Sequence, residues 1–165
     1  MSLSGKLEAN VEIDAAADQF HNVFSCRPHH TCNMSPGKIH ACDLHEGEWG
    51  KEGTVVCWHY FDDGYRKVAK EIIETIDDVN LSITYKVIAG DPLKEYKNFK
   101  FIVQAIPKGK GSLVHWTMEY EKIHENISNP NTLMEFLIHC TNDIYAHLVE
   151  CRRNNHESCY ICYDV

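Results

Sequence analysis

The stretch "HEGEWGKEG", residues 45–53, sets Gly47, Gly50 and Gly53 around Lys51, the residue types of a loop that cradles phosphate. A Walker loop needs Gly-x4-Gly-Lys, then Ser or Thr, then a helix. Here position 45 is His, Gly50-Lys51 is followed by Glu52, and a strand pattern comes next. Asp43, Glu46, Glu48 and Glu52 would also repel phosphate. The three glycines are better read as supplying φ > 0 in a rigid turn. A second candidate is "RKVAKEIIETI", residues 66–76, where Val68, Lys70, Ile72, Glu74 and Ile76 share one strand face and Ala69, Glu71, Ile73 and Thr75 the other. If the first set points inward, Lys70 and Glu74 supply an acid–base pair to whatever lies inside; otherwise they are solvated near the sheet rim. The tail "CRRNNHESCYICYDV" brings Cys151, His156, Cys159 and Cys162, soft ligands that include a zinc-like Cys-x-x-Cys. Their full spacing matches no established metal pattern, and a thiol-reactive or loosely packed extension is the competing reading.

The remaining chemistry is sparse. "PHH" at 28–30 places two histidines side by side, where their side chains diverge and do not share a metal, leaving a gating or a structural role. His40, His45, His59 and His115 fall on different strands. No His-x-x-x-His with an attendant glutamate, no Gly-x-Ser-x-Gly elbow and no catalytic Cys–His context is present, which argues against metalloprotease and hydrolase chemistry.

These residues are carried by a chain of 165, the length of one domain. A 44% hydrophobic composition with only 5 prolines excludes disordered and collagen-like classes. The net charge of −8 argues against nucleic-acid binding and against docking on anionic membranes. No run approaches a membrane span or a signal peptide, so the expected location is cytoplasmic, with the eight cysteines mostly reduced.

Leu7, Ala9, Val11 and Ile13 alternate with polar residues as a half-buried strand does. "DAAADQFHNVF" then takes helical spacing, with Asp14 placed as its N-cap and Phe20, Val23 and Phe24 on one face. Six strand patterns follow between residues 38 and 121, separated by turn chemistry such as "DDG" and "PKGKG", which predicts an antiparallel meander. One long helix closes the chain, with Asn129 as cap, Pro130 first in the helix, and an apolar face of Leu133, Phe136, Leu137, Cys140, Ile144 and Leu148. The class is α+β, one curved antiparallel sheet covered by the last helix.

Period-2 reading of the strands groups Val56, Trp58 and Tyr60; Leu81, Ile83, Tyr85 and Val87; Phe99, Phe101, Val103 and Ala105; and Val114, Trp116, Met118 and Tyr120 on inner faces. Taken alone, the pattern fits either a solid core that satisfies its Tyr and Trp tips internally or a cavity with aromatic walls and a few hydroxyl handles.

"LSGKLEANVEI", "RPHH", "CDLHEGEWGKEGTVVCWHY", "KVAKEIIETID", "EYKNFK" and "GSLVHWTMEYEK" resemble, in unbroken order over about residues 1–150, the plant major latex protein family. That family is a branch of the birch pollen allergen (Bet v I) superfamily, with the START-like helix-grip fold. The resemblance implies a seven-stranded antiparallel sheet gripping a long C-terminal helix, two short helices after the first strand, and a large internal hydrophobic cavity. It divides the chain into a ligand-binding domain at 1–150 and a Cys-rich extension at 151–165. It further implies a cytosolic plant protein of defence, stress or secondary metabolism, without cofactor. Such a protein binds an apolar or amphipathic molecule such as a hormone, flavonoid, alkaloid, lipid or xenobiotic. On that fold, the inner-face residues named above would line the cavity, closed by Phe20, Phe24, Leu137, Thr141 and Tyr145, with Tyr85, Tyr120, Trp58 and Trp116 orienting the ligand. Two other readings stay open. One is an alkaloid-condensing cavity enzyme using Lys70 or Glu74. The other is a ligand-gated protein-interaction module, with residues 29–37 and 91–95 at the mouth.

Overall fold

The computed structural model describes residues 3–154. The elements run β1 (Ser4–Ile13), α1 (Ala17–Cys26), a 3-10 turn (Pro28–His30), α2 (Thr31–Met34), β2 (Ile39–Glu46), β3 (Val55–Asp62) and β4 (Tyr65–Asp77). They continue with β5 (Ser82–Gly90), a 3-10 turn (Asp91–Lys94), β6 (Tyr96–Lys108), β7 (Gly111–Lys122) and α3 (Asn131–Arg153). All neighbouring strands pair antiparallel, in the order β1-β7-β6-β5-β4-β3-β2. β1 and β2 are therefore the two edges, although only α1, α2 and their turns separate them in sequence. The short helices must cross the sheet, and α3 lies beside them over the same face.

The core forms between that face and the helices as the alternation requires. Val114, Trp116, Met118 and Tyr120 of β7, and Phe99, Phe101, Val103 and Ala105 of β6, are all buried. Their rings interlock: Phe99 lies 4.8 Å from Phe101 and 5.9 Å from Tyr120, centroid to centroid. From α1, Phe20, Val23 and Phe24 pack down onto this surface.

Both helix caps depart from the expectation, each because its residue has another partner. α1 starts at Ala17 behind Ala16, with no side-chain cap. Asp14 instead faces the last turn of α3, where Arg152 reaches its carboxylate at 3.9 Å and donates to its carbonyl at 3.3 Å. α3 begins at Asn131 with Pro130 outside it. The Asn129 side-chain oxygen accepts from the Tyr120 hydroxyl at 3.2 Å rather than capping the helix. α3 also runs past residue 150, and Cys151 is buried within it, 3.4 Å from His147 Nε2. His156, Cys159 and Cys162 lie outside the described residues.

β4, like β2, carries local irregularities. Its pairing with β5 shifts register between Lys70 and Glu71 and again between Ile73 and Thr75. Such bulges re-aim side chains and break the period of two. Ala69, Glu71 and Ile73 still alternate onto the core, but beyond Ile73 the alternation breaks: Glu74 and Thr75 are both exposed, and Ile76 returns to pack against the core.

The loop between β2 and β3 has positive φ at Gly47, Gly50 and Gly53 (97°, 86° and 84°). It is pinned by Thr54, whose hydroxyl donates to the Glu48 carbonyl at 2.6 Å and accepts from the Glu48 N–H at 3.2 Å. Trp49 stacks on His29 at 4.0 Å and an interplanar angle of 17°, fixing the loop to the 3-10 turn after α1. A Cβ at Gly47 would fall 2.7 Å from Thr54 Oγ1, whereas one at Gly53 meets nothing within 4 Å. Gly47→Ala is therefore expected to cost about 2–3 kcal/mol and Gly53→Ala only about 1 kcal/mol, since strain at φ > 0 is common to both. Urea denaturation of the two variants checks the order.

Candidate functional site

Between the sheet and α3 lies a cavity of about 60 Å³. Trp58 and Tyr60 of β3, Glu71 of β4, Tyr85 of β5, Phe101 of β6 and Trp116 of β7 form its floor. Phe24 of α1, Ile39 of β2, and Leu133, Phe136, Leu137 and Cys140 of α3 close it. Pockets that enclose a drug-sized ligand run to about 300–1,000 Å³. The large cavity implied by the resemblance is thus mostly filled here by its own aromatic side chains, and a ligand of several rings would have to displace them.

Of the polar tips in the walls, two are already engaged. The Tyr85 hydroxyl donates to the Phe24 carbonyl at 2.5 Å, tying the sheet to α1. The Trp116 indole N–H donates to Thr141 Oγ1 at 2.8 Å, and that hydroxyl donates onward to the Leu137 carbonyl at 2.8 Å, tying the sheet to α3. Burial pushes the Tyr85 and Tyr60 phenols up from their ordinary range, so both are neutral hydroxyls.

The groups left to address a ligand sit together on β3 and β4. The register pairs Val56 with Glu71 and Trp58 with Ala69, so Trp58 and Glu71 are diagonal neighbours on one face. Glu71 is 6% exposed, and burial pushes its carboxyl up to about 8; the Trp58 indole nearby works in the opposite direction. That indole N–H is itself buried without a partner that meets hydrogen-bond geometry. No Lys, Arg or His lies among the described residues lining the cavity, and among the described residues no three His, Cys, Asp or Glu converge as metal ligands do.

Seven of the residues expected at the ligand line this cavity: Phe24, Trp58, Tyr60, Tyr85, Phe101, Trp116 and Leu137. Val56, Phe20, Ile83, Phe99, Val103, Val114, Met118, Tyr120 and Thr141 are buried in the core around it instead. Tyr145 and Leu81 are only partly buried, and Leu81 precedes β5 with φ 56°. Lys70 and Glu74 turn to the outer face, where Glu74 pairs with Lys100 at 2.9 Å. Glu71 replaces them inside. Alternation alone could not find it, because Val68, Ile72 and Ile76 outweigh Ala69 and Ile73 as an apolar set, and the bulge after Ile73 changes the parity of Ile76.

A second, more polar cavity of about 180 Å³ adjoins the first and shares Tyr60 and Leu133 with it. Its walls come from the β3–β4 turn, the 3-10 turn at 91–94 and the segment entering α3.

The model of the pathogenesis-related protein Bet v 1 family matches residues 2–151. MLP-like protein 28 of Arabidopsis thaliana is 51% identical over 150 residues, 90% of this chain, although the chain spans only 45% of that relative's own length. MLP-like protein 31 of the same plant is 49% identical, with 90% of this chain and 88% of the relative covered. A crystal structure of ginseng major latex-like protein 151 from Panax ginseng superimposes with a TM-score of 0.86 at 44% identity, over 88% of this chain and 97% of that one.

Proposed function

The chain belongs to the Bet v 1 family, and from that premise we propose that it binds a hydrophobic or amphipathic small molecule in the cavity under α3, as a carrier, store or sensor. The observation that carries this reading is the composition of the walls, which among the described residues are largely aromatic and aliphatic, with Glu71, Trp58 and Tyr60 offering polar groups. Burying ligand surface there is worth about 25 cal/mol per Å² before ordering costs. The ordering cost here includes moving wall side chains apart, so affinity should favour ligands that reward the opening with area. We extend the reading to a cytosolic role in plant defence, stress or secondary metabolism. No helix among the described residues is long and apolar enough to cross a membrane.

Binding without turnover is preferred over condensation chemistry because the lysine–carboxylate pair on which the latter would rest, Lys70 and Glu74, faces outward. The test is a titration with Nile red, an uncharged apolar dye, together with native mass spectrometry of protein purified from its source. The expected result is saturable dye fluorescence, displaced by a co-purified small molecule. Absence of both dye binding and any co-purified species would overturn the reading.

A further inference from the structure

Resting on the cavity reading above, we infer that the preferred ligand carries a basic nitrogen, an apolar amine whose ammonium group pairs with Glu71 beside the Trp58 indole. Three observations lead there. First, Glu71 is a carboxyl buried to 6% exposure, and among the described residues no basic side chain lines the same cavity to pair with it. A buried carboxyl of that kind is costly unless something compensates it. Second, the surrounding rings of Trp58, Tyr60, Tyr85, Phe101 and Trp116 present the aromatic faces that attract an organic cation.

Third, the adjoining polar cavity has the matching sign. Among the described residues it is lined by Asp62, Asp63, Asp91 and Glu95 against the single cation Lys67, and it shares Tyr60 and Leu133 with the inner cavity. Lys67 pairs with Asp62 at 3.0 Å, and Asp91 accepts from Lys94 at 2.9 Å and from the Val68 N–H at 2.7 Å, yet the lining stays net negative. A vestibule of that sign concentrates cations and repels anions.

The groups around Glu71 set how binding responds to pH. Among the described residues, Cys42 on β2, Cys57, Trp58 and Tyr60 on β3 and Tyr85 on β5 interact with it, Cys140 of α3 lines the same cavity, and burial holds the thiols and phenols neutral. Glu71 is then the group that changes charge. The protonated amine enters, the Glu71 O–H bond gives its proton to solvent, and an ammonium–carboxylate pair remains. Near pH 7 close to one proton leaves per amine bound.

The experiment compares three ligands with one skeleton, 3-phenylpropylamine, 3-phenylpropan-1-ol and 3-phenylpropanoic acid, as competitors of Nile red on the parent chain and on Glu71→Gln. Calorimetry in two buffers of different ionisation enthalpy counts protons. The expected result is that the amine binds about tenfold or more tighter than the alcohol. It should release close to one proton, and should fall to the alcohol's affinity in Glu71→Gln, whose fold is checked by circular dichroism and whose dye affinity is measured separately. If the alcohol or the acid binds as well as the amine, or if Glu71→Gln leaves the amine preference intact, the inference is overturned and the cavity reading stands. If Nile red and all three compounds fail to bind the parent chain, the cavity reading falls with it.

Discussion

At pH 7.5 a Glu71→Gln variant is expected to be more stable than the parent chain by about 4 kcal/mol, and at about pH 4 to be indistinguishable from it. The carboxyl is held up to about 8 by burial, against 4.5 without the fold. Below the lower value both states are protonated and the group costs nothing. Between the two, the unfolded chain has released the proton and the folded chain keeps it, so stability falls as pH rises, and the loss is complete once pH passes the upper value. Glutamine has the same shape and never ionises, so it removes the slope. For a chain of this size the gain corresponds to roughly 8–16 °C in melting temperature. Thermal melts of both proteins from pH 4 to pH 8 decide the matter. Parallel curves would mean that Glu71 is ionised and solvated in the folded state, and the polar end of the cavity would need another account.

Trp116→Ala is expected to destabilise by about 3–5 kcal/mol, the cost of removing a fully packed large aromatic side chain. Trp116 is 2% exposed, meets Phe24 edge to face at 5.4 Å, and carries the hydrogen bond to Thr141 that holds α3 to the sheet. The same change enlarges a cavity of only about 60 Å³. Per folded molecule, Nile red should therefore bind more tightly to the variant than to the parent, although the fold is weaker. Measuring at pH 5, where Glu71 costs little, keeps the variant folded enough to titrate. Weaker dye binding by the folded variant would place the dye elsewhere.

The strand order of the meander and the burial of β6 and β7 were legible because side chains on those strands alternate without interruption. Phe99, Phe101, Trp116 and Tyr120 are where a period of two puts them. What the sequence hid has physical causes. On β4 alternation offered two faces, and the more apolar set of Val68, Ile72 and Ile76, which carries Lys70 and Glu74, is not the one that turns inward over residues 69–73; the irregularity after Ile73 then returns Ile76 to the core. Asp14 and Asn129 have the chemistry of helix caps, but contacts from Arg152 and Tyr120, more than a hundred and nine residues away respectively, take them first. The division of the inner face between cavity wall and solid core was also beyond alternation. Val103 and Phe101 share a strand face, and the packing of the helices over the sheet, with α1 against β6, decides which of them borders free space.

The pairing of β1 with β7 has a consequence for synthesis. Ser4 pairs with Glu121 and Ile13 with Ser112, so β1 must wait for about a hundred further residues before its partner exists. At about 5–20 residues per second that is roughly 5–20 s, and α3 arrives later still. During that interval the apolar face of the meander, with its rings on β3, β5 and β6, has neither its edge strand paired nor its covering helix. The nascent chain is most open to chaperones, and to misassociation, in that window, and its burden of aromatic residues is the same one that later makes the cavity.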